Sequence, residues 1–226
     1  MDFRQPLVTA SPEVLAELRD QFADQLRAER DSTRLQAVSR LGELPGTAPL
    51  LQEFLAQRQT AADFPGWADG RACQLLVRDR PWPSLFGGEP SPLEQALQQE
   101  KFLEADRLTM KTLCAAAGEG AATRGWLYFT DVNRIETSQW QHLDRLWQVY
   151  SAGKFGISVQ RKLWLAAGQN WEKLWLQIGW KRDGSFTRYP DGFTWSLEAP
   201  KGHLPLFNQI RGNKTLETVF RHPAWN

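Results

Sequence analysis

The stretch of this sequence best equipped for chemistry is WKRDGSFTRYPDGFTWSLEAPKGHLPLF, residues 180–207. Compact domains usually join their elements with ~4–6 residues, and much longer loops tend to be functional or disordered. Disorder fits poorly, because disordered segments are depleted in aromatics, whereas this one carries Trp180, Phe186, Tyr189, Phe193, Trp195 and Phe207. Gly184, Pro190 and Gly192 interrupt it, so no helix is expected to bury those rings along one stripe. Asn208, Arg211 and Lys214 follow at intervals of three and would share one face of a helix. A concavity of rings with cations at its rim suits a large planar molecule bearing carboxylates. Two other readings stay open on residue types alone. The stretch could be a lid packed onto its own protein, or a surface that stacks nucleic-acid bases, which also calls for rings and cations.

Other chemistries find little support. His142, His203 and His222 stand far apart and no cysteine pair has ligand spacing, so the histidines read as structural and no protein metal site is expected. No G-x-S-x-G, G-x-G-x-x-G or Walker loop occurs. The turn SAGKFG (151–156) lacks phosphate-loop spacing, and its Gly153 and Gly156 read as turn glycines. The acids Glu104 and Asp106, and Asp131 and Glu136, read as ordinary surface carboxylates. With no polar catalytic cluster, the chain is not expected to be an enzyme.

The elements that must position the aromatic stretch are helical. Ser11-Pro12-Glu13 starts a helix with a capping serine, a proline at the first position and an acid in the first turn. Val14, Leu15, Leu18, Phe22 and Leu26 follow at helical spacing. Further helices are expected at about 32–44, 49–58 and 67–77, giving a small bundle over residues 1–80. Residues 81–91, rich in proline and glycine, read as a linker. The second unit, 92–226, opens with Ser91-Pro92 and a helix at about 99–117. The short apolar run Trp126–Phe129 could be a strand or a buried turn. A tryptophan stripe at 140, 147, 164, 171 and 175 keeps helical spacing, and core packing explains most of it. A last short helix is expected from about Asn213 to Arg221. The whole is expected to be all-α.

Composition narrows the function further. A formal net charge of +1 supplies no global field for DNA or RNA. Of the 11 tryptophans, nine lie after residue 125, so the two ends of the chain are built differently. Cys73 and Cys114 make no disulfide framework, which points to a reducing cytosol. No signal peptide is apparent, and no apolar run approaches the ~18–20 residues that span a bilayer. A soluble cytoplasmic protein is expected, with peripheral membrane association left open.

Several stretches together give the chain a family likeness: SAGKFGISVQRKLW (151–164), RGWLYFTDVNRI (124–135), LDRLW (143–147), FTRYPDGFTWSL (186–197), GHLPLFNQIRG (202–212) and HPAW (222–225). Residues 92–226 resemble the genomes-uncoupled tetrapyrrole-binding proteins of cyanobacteria and plastids, and the N-terminal bundle resembles the helical extension of the cyanobacterial members. The resemblance implies a cupped all-α domain that binds protoporphyrin IX and Mg-protoporphyrin IX. It implies a non-catalytic regulator that stimulates magnesium chelatase in chlorophyll biosynthesis, acting on the large porphyrin-binding subunit. It places Phe129, Val132 and Ile135 on one side of the ligand and Phe186, Tyr189 and Phe193 in a mobile loop on the other. Arg211 would pair with a propionate, and the amide oxygen of Asn208 could reach the porphyrin magnesium. Lys214 stands where some relatives have arginine, and Tyr189 where relatives often have tryptophan. The far wall, around helix 99–117, receives no assignment from the resemblance.

Overall fold

The structure, a computed structural model, describes residues 11–77, 82–206 and 213–226. Four helices come first: α1 (Pro12–Gln25), α2 (Asp31–Gly42), α3 (Ala48–Arg58) and α4 (Trp67–Leu76). Then follow α5 (Pro92–Gln98), α6 (Phe102–Ala117), α7 (Glu119–Arg124), α8 (Phe129–Val132), α9 (Thr137–Val149), α10 (Ile157–Ala166) and α11 (Trp171–Gln177). A hairpin of two-residue strands, β1 (Lys181–Arg182) and β2 (Ser185–Phe186), opens the aromatic stretch. Helix α12 (Lys214–Phe220) and a 3-10 turn at Pro223–Trp225 close the chain.

The helix starts follow the side chains that cap them. Ser11 Oγ accepts from the amide of Val14, Ser91 Oγ from Glu94 at 3.1 Å and Asn170 Oδ1 from Lys173 at 3.0 Å. Each bond satisfies a helix-end N–H that has no partner within the helix. The all-α expectation holds. The small hairpin was not expected, because two-residue strands leave no alternating pattern to read. Its turn is Asp183-Gly184, both at positive φ (49° and 77°), the backbone that tight hairpins need. Helix α7 was also unforeseen; Gly118 at φ 108° ends α6 and redirects the chain into it.

In the N-terminal half, α2 packs on α1 and α4, and α3 packs on α4. Val38, Leu41, Leu51, Phe54 and Ala72 fill the space between them. The C-terminal core is aromatic. Trp140, Trp147, Trp180, Phe102, Phe155 and Phe220 are fully buried. Trp147 lies 6.1 Å from Phe102, centroid to centroid, and its indole N–H donates to Thr109 Oγ1 at 2.9 Å. A second run of rings, Trp164, Trp171, Trp175 and Trp180, is spaced at 5.0, 5.1 and 5.3 Å. Burying one large apolar side chain stabilises by about 1.5–3 kcal/mol, so these rings dominate the energetics of this half.

The two halves meet across a close interface. Gln74 Nε2 donates to the carbonyls of Tyr150 (2.7 Å) and Leu97 (3.2 Å). Within the stretch 81–91, read from sequence as a linker, Leu85 is buried, and Glu94 accepts from its amide at 3.1 Å and from Ser84 Oγ at 2.7 Å. The tightest approach is between α4 and α9, where a Cβ on Gly70 would stand 2.3 Å from the Val149 carbonyl oxygen. Glycine to alanine in a helix interior ordinarily stabilises by about 0.5–1 kcal/mol. Here the sign reverses. Gly70→Ala is expected to cost about 1–3 kcal/mol through overpacking, lowering the thermal midpoint by roughly 3–10 °C; calorimetry on the full chain checks it.

Candidate functional site

The first group of candidate residues lies where α7 turns into α8. Gly125, left-handed at φ 73°, ends α7. The run Trp126–Phe129 then divides: Leu127 points inward and is fully buried, while Tyr128 and Phe129 stay 45% and 37% exposed. Asp131 makes this turn. Its carboxylate accepts from the Tyr128 amide at 2.8 Å and from the Arg124 guanidinium. Asp131 is therefore buried, not the surface acid that the sequence suggested. Arg124 lies over the rings of Tyr128 (4.5 Å) and Trp126 (5.4 Å). Helix α12 packs against α8 and sets Lys214 Nζ 3.9 Å from the centroid of Phe129. Val132 and Ile135 lie beneath, at 0% and 2% exposure.

The aromatic stretch faces outward with part of its rings and inward with the rest. Phe186, on the hairpin, is 49% exposed; its neighbours are Trp175, edge-on at 6.4 Å, and Lys181. Tyr189 is 45% exposed and meets Trp195 edge-on at 5.8 Å. Phe193 turns in, buried between Trp195 and His203. His203 is buried with both ring nitrogens used. Nδ1 lies 2.6 Å from the Ile178 carbonyl oxygen, and Nε2 accepts from the Thr194 amide at 3.2 Å. That pattern fixes the neutral tautomer with its proton on Nδ1, and burial holds the imidazole below its ordinary value.

Helix α6 also contacts the aromatic stretch. Asp106 is buried and accepts from the Leu206 amide at 2.7 Å, so this acid too differs from its expected surface role. Next to it, Arg107 is exposed and its Nε donates to the Tyr189 hydroxyl at 3.2 Å. Two successive residues of one helix thus hold two points on the aromatic stretch. Burial pushes the Asp106 carboxyl up to about 7, against the lowering pull of the Leu206 amide and of Arg107.

Of the residues expected from sequence, Phe129 and Lys214 are brought into contact, and Tyr189 and Phe193 share Trp195 as a neighbour. Phe186 rests on the tryptophan run instead. Val132, Ile135 and Phe193 are core residues. Asn208 and Arg211 lie outside the described residues. Sequence reasoning missed Arg107, Arg124 and Tyr128. Arg124, Tyr128 and Asp131 recur at steps of four and three, a spacing that hinted at one cluster. Among the described residues no group of His, Cys, Asp or Glu is arranged to hold a metal ion, and no helix is long and apolar enough to cross a membrane.

Comparison with known proteins agrees with this architecture. The profile of the family described as GUN4-like matches residues 88–223. A Ycf53-like protein of Synechocystis sp. is 39% identical, aligned over 94% of this chain and 97% of its own length. The chloroplastic tetrapyrrole-binding protein of Arabidopsis thaliana is 37% identical over 59% of this chain, which spans about half (54%) of that protein. The solved structure of GUN4 from Chlamydomonas reinhardtii superposes with a TM-score of 0.57 at 37% identity, covering 66% of this chain and 98% of that one.

The raised carboxyl of Asp106 sets a pH dependence. The unfolded chain releases this proton near pH 4 and the folded chain near 7. Between those values the folded state binds more protons, so its stability falls as pH rises. The thermal midpoint of the wild type, measured relative to Asp106→Asn, is expected to drop steadily from pH 4 to 7 and then level off. Parallel curves for the two proteins would show that Asp106 ionises normally.

Proposed function

This chain belongs to the GUN4-like family, and from that premise we propose that it binds a tetrapyrrole and acts as a regulator without catalysis of its own. The reading is supported above all by rings of the C-terminal half left partly exposed beside a core of buried rings: Phe129, Tyr128, Phe186 and Tyr189. Exposed apolar surface next to cations marks a ligand or partner site, and the Arabidopsis relative is named for tetrapyrrole binding. Protoporphyrin IX and Mg-protoporphyrin IX are the proposed ligands, flat macrocycles with carboxylates at one edge.

In this reading, burial of the macrocycle supplies most of the affinity, at ~25 cal/mol per Å² of apolar area before the costs of association. Lys214 already sits on the face of Phe129 and would orient a propionate. Arg211 and Asn208 keep the roles that the family resemblance gives them, propionate partner and oxygen donor to the magnesium. Val132, Ile135 and Phe193 act from beneath, fixing the exposed rings. Stimulation of magnesium chelatase through its large porphyrin-binding subunit belongs to the same proposal and is supported by family membership. So does peripheral contact of a soluble cytoplasmic protein with the thylakoid membrane. A module for a protein partner or single-stranded nucleic acid is the alternative, and salt separates it: electrostatic binding to nucleic acid falls steeply with ionic strength, while macrocycle burial changes little.

Titrating protoporphyrin IX into the protein is expected to quench tryptophan fluorescence at micromolar ligand. Phe129→Ala is expected to weaken binding by roughly 5–30-fold, the equivalent of about 1–2 kcal/mol of lost apolar contact. Lys214→Ala, a rim charge, is expected to weaken it by about 2–5-fold. No quenching at micromolar porphyrin, together with salt-sensitive binding of an oligonucleotide, would overturn the reading.

A further inference from the structure

Cations beside the exposed rings differ in whether an acid already neutralises them. Arg124 pairs with Asp131, and Lys181 with Glu172 at 2.7 Å. Arg107 and Lys214 have no carboxylate in ion-pair range among the described residues. Lys214 belongs to the site read from the sequence, but Arg107 does not. The acid next to Arg107 in sequence, Asp106, is buried and engaged with the Leu206 amide, outside ion-pair range of the guanidinium. The partner that Arg107 does have is the Tyr189 hydroxyl, a neutral acceptor at 3.2 Å on an exposed ring. A phenol uses one of five guanidinium N–H groups. A carboxylate meets the fork with two parallel, charge-assisted bonds.

We propose that Arg107 is a carboxylate-recognition residue of the ligand surface, and that the Tyr189 hydroxyl is a placeholder which a ligand carboxylate displaces. This rests on the reading that the ligand is a tetrapyrrole acid. Capture of the acid group and release of the Tyr189 end of the aromatic stretch then become one event. The rest of the stretch stays fixed. Leu206 is held by Asp106, and the carbonyls of Gly202 and Pro205 accept from Gln160 Nε2 at 3.0 and 2.8 Å. Movement on binding is therefore confined to the turn around Tyr189, and α6 supplies the wall against which the ligand's acid edge is set.

The test compares protoporphyrin IX with its dimethyl ester, which keeps the macrocycle and lacks the charge, in wild type, Arg107→Ala, Arg107→Lys and Tyr189→Phe. The wild type is expected to prefer the diacid. Arg107→Ala is expected to lose about tenfold in diacid affinity, the lower end for a charge-assisted bond in an exposed setting, with ester affinity unchanged. Arg107→Lys should recover part of the loss, since a point charge replaces the fork. Tyr189→Phe removes the competing hydroxyl, so diacid affinity should hold or rise. If Arg107→Ala weakens both ligands equally, or neither, or if Tyr189→Phe weakens the diacid as much as Arg107→Ala, the proposal is wrong while tetrapyrrole binding stands. If the wild type binds neither ligand, the tetrapyrrole reading fails and takes this inference with it.

Discussion

The aromatic stretch can leave rings in solvent only because its backbone is satisfied without a helix or an extended sheet. A buried carbonyl or amide without a partner costs about 1–3 kcal/mol, so a long irregular segment must find donors and acceptors elsewhere. Side chains of the surrounding elements provide them. Gln160, itself fully buried, serves two carbonyls, and the Trp180 indole donates to the His203 carbonyl at 2.7 Å. Lys154 Nζ donates to the Leu197 carbonyl, and the Leu206 amide bonds to Asp106. With the path fixed in this way, Phe193 can be driven inward against His203 while Tyr189, four residues earlier, is left partly exposed. Hydrophobic collapse alone would have drawn both rings in.

This explains what was legible in the sequence. Caps act over three or four residues, so Ser11 and Ser91 announced their helix starts. The ring types of the site were equally visible, but their direction was not. A helix or strand has a period that tells inside from outside; residues 187–206 have none. Helix α8 is a single turn, too short for a period, which is why Phe129 and its neighbours Val132 and Ile135 could not be separated into surface and core from the chain alone. Asp106 and Asp131 were misread for a related reason: an acid bonded to a backbone amide a hundred or three residues away looks like any other acid in sequence. The contacts that assemble the surface, Lys214 on Phe129 and Arg107 on Tyr189, join residues more than eighty positions apart, and no local pattern encodes them.

The turn Ser151–Gly156 shows what a motif read as mere turn chemistry does in three dimensions. Gly153 has φ 71°, and a Cβ there would stand 2.5 Å from Cζ2 of Trp67; Gly156 has φ 133°, and a Cβ there would stand 2.8 Å from an Asp144 carboxylate oxygen. Both glycines are thus required twice, by dihedral and by neighbour. The turn has a different partner on each side. On one side it takes the Trp67 ring from the N-terminal half. On the other, the Lys154 carbonyl accepts from Gly202 at 2.9 Å and the Gly156 amide donates to Leu204 at 3.0 Å, both in the aromatic stretch. The family match begins at residue 88, so the contacts with the aromatic stretch fall wholly within it and the Trp67 contact falls outside. In this chain the N-terminal half is seated on a face of the turn that the aromatic stretch leaves free.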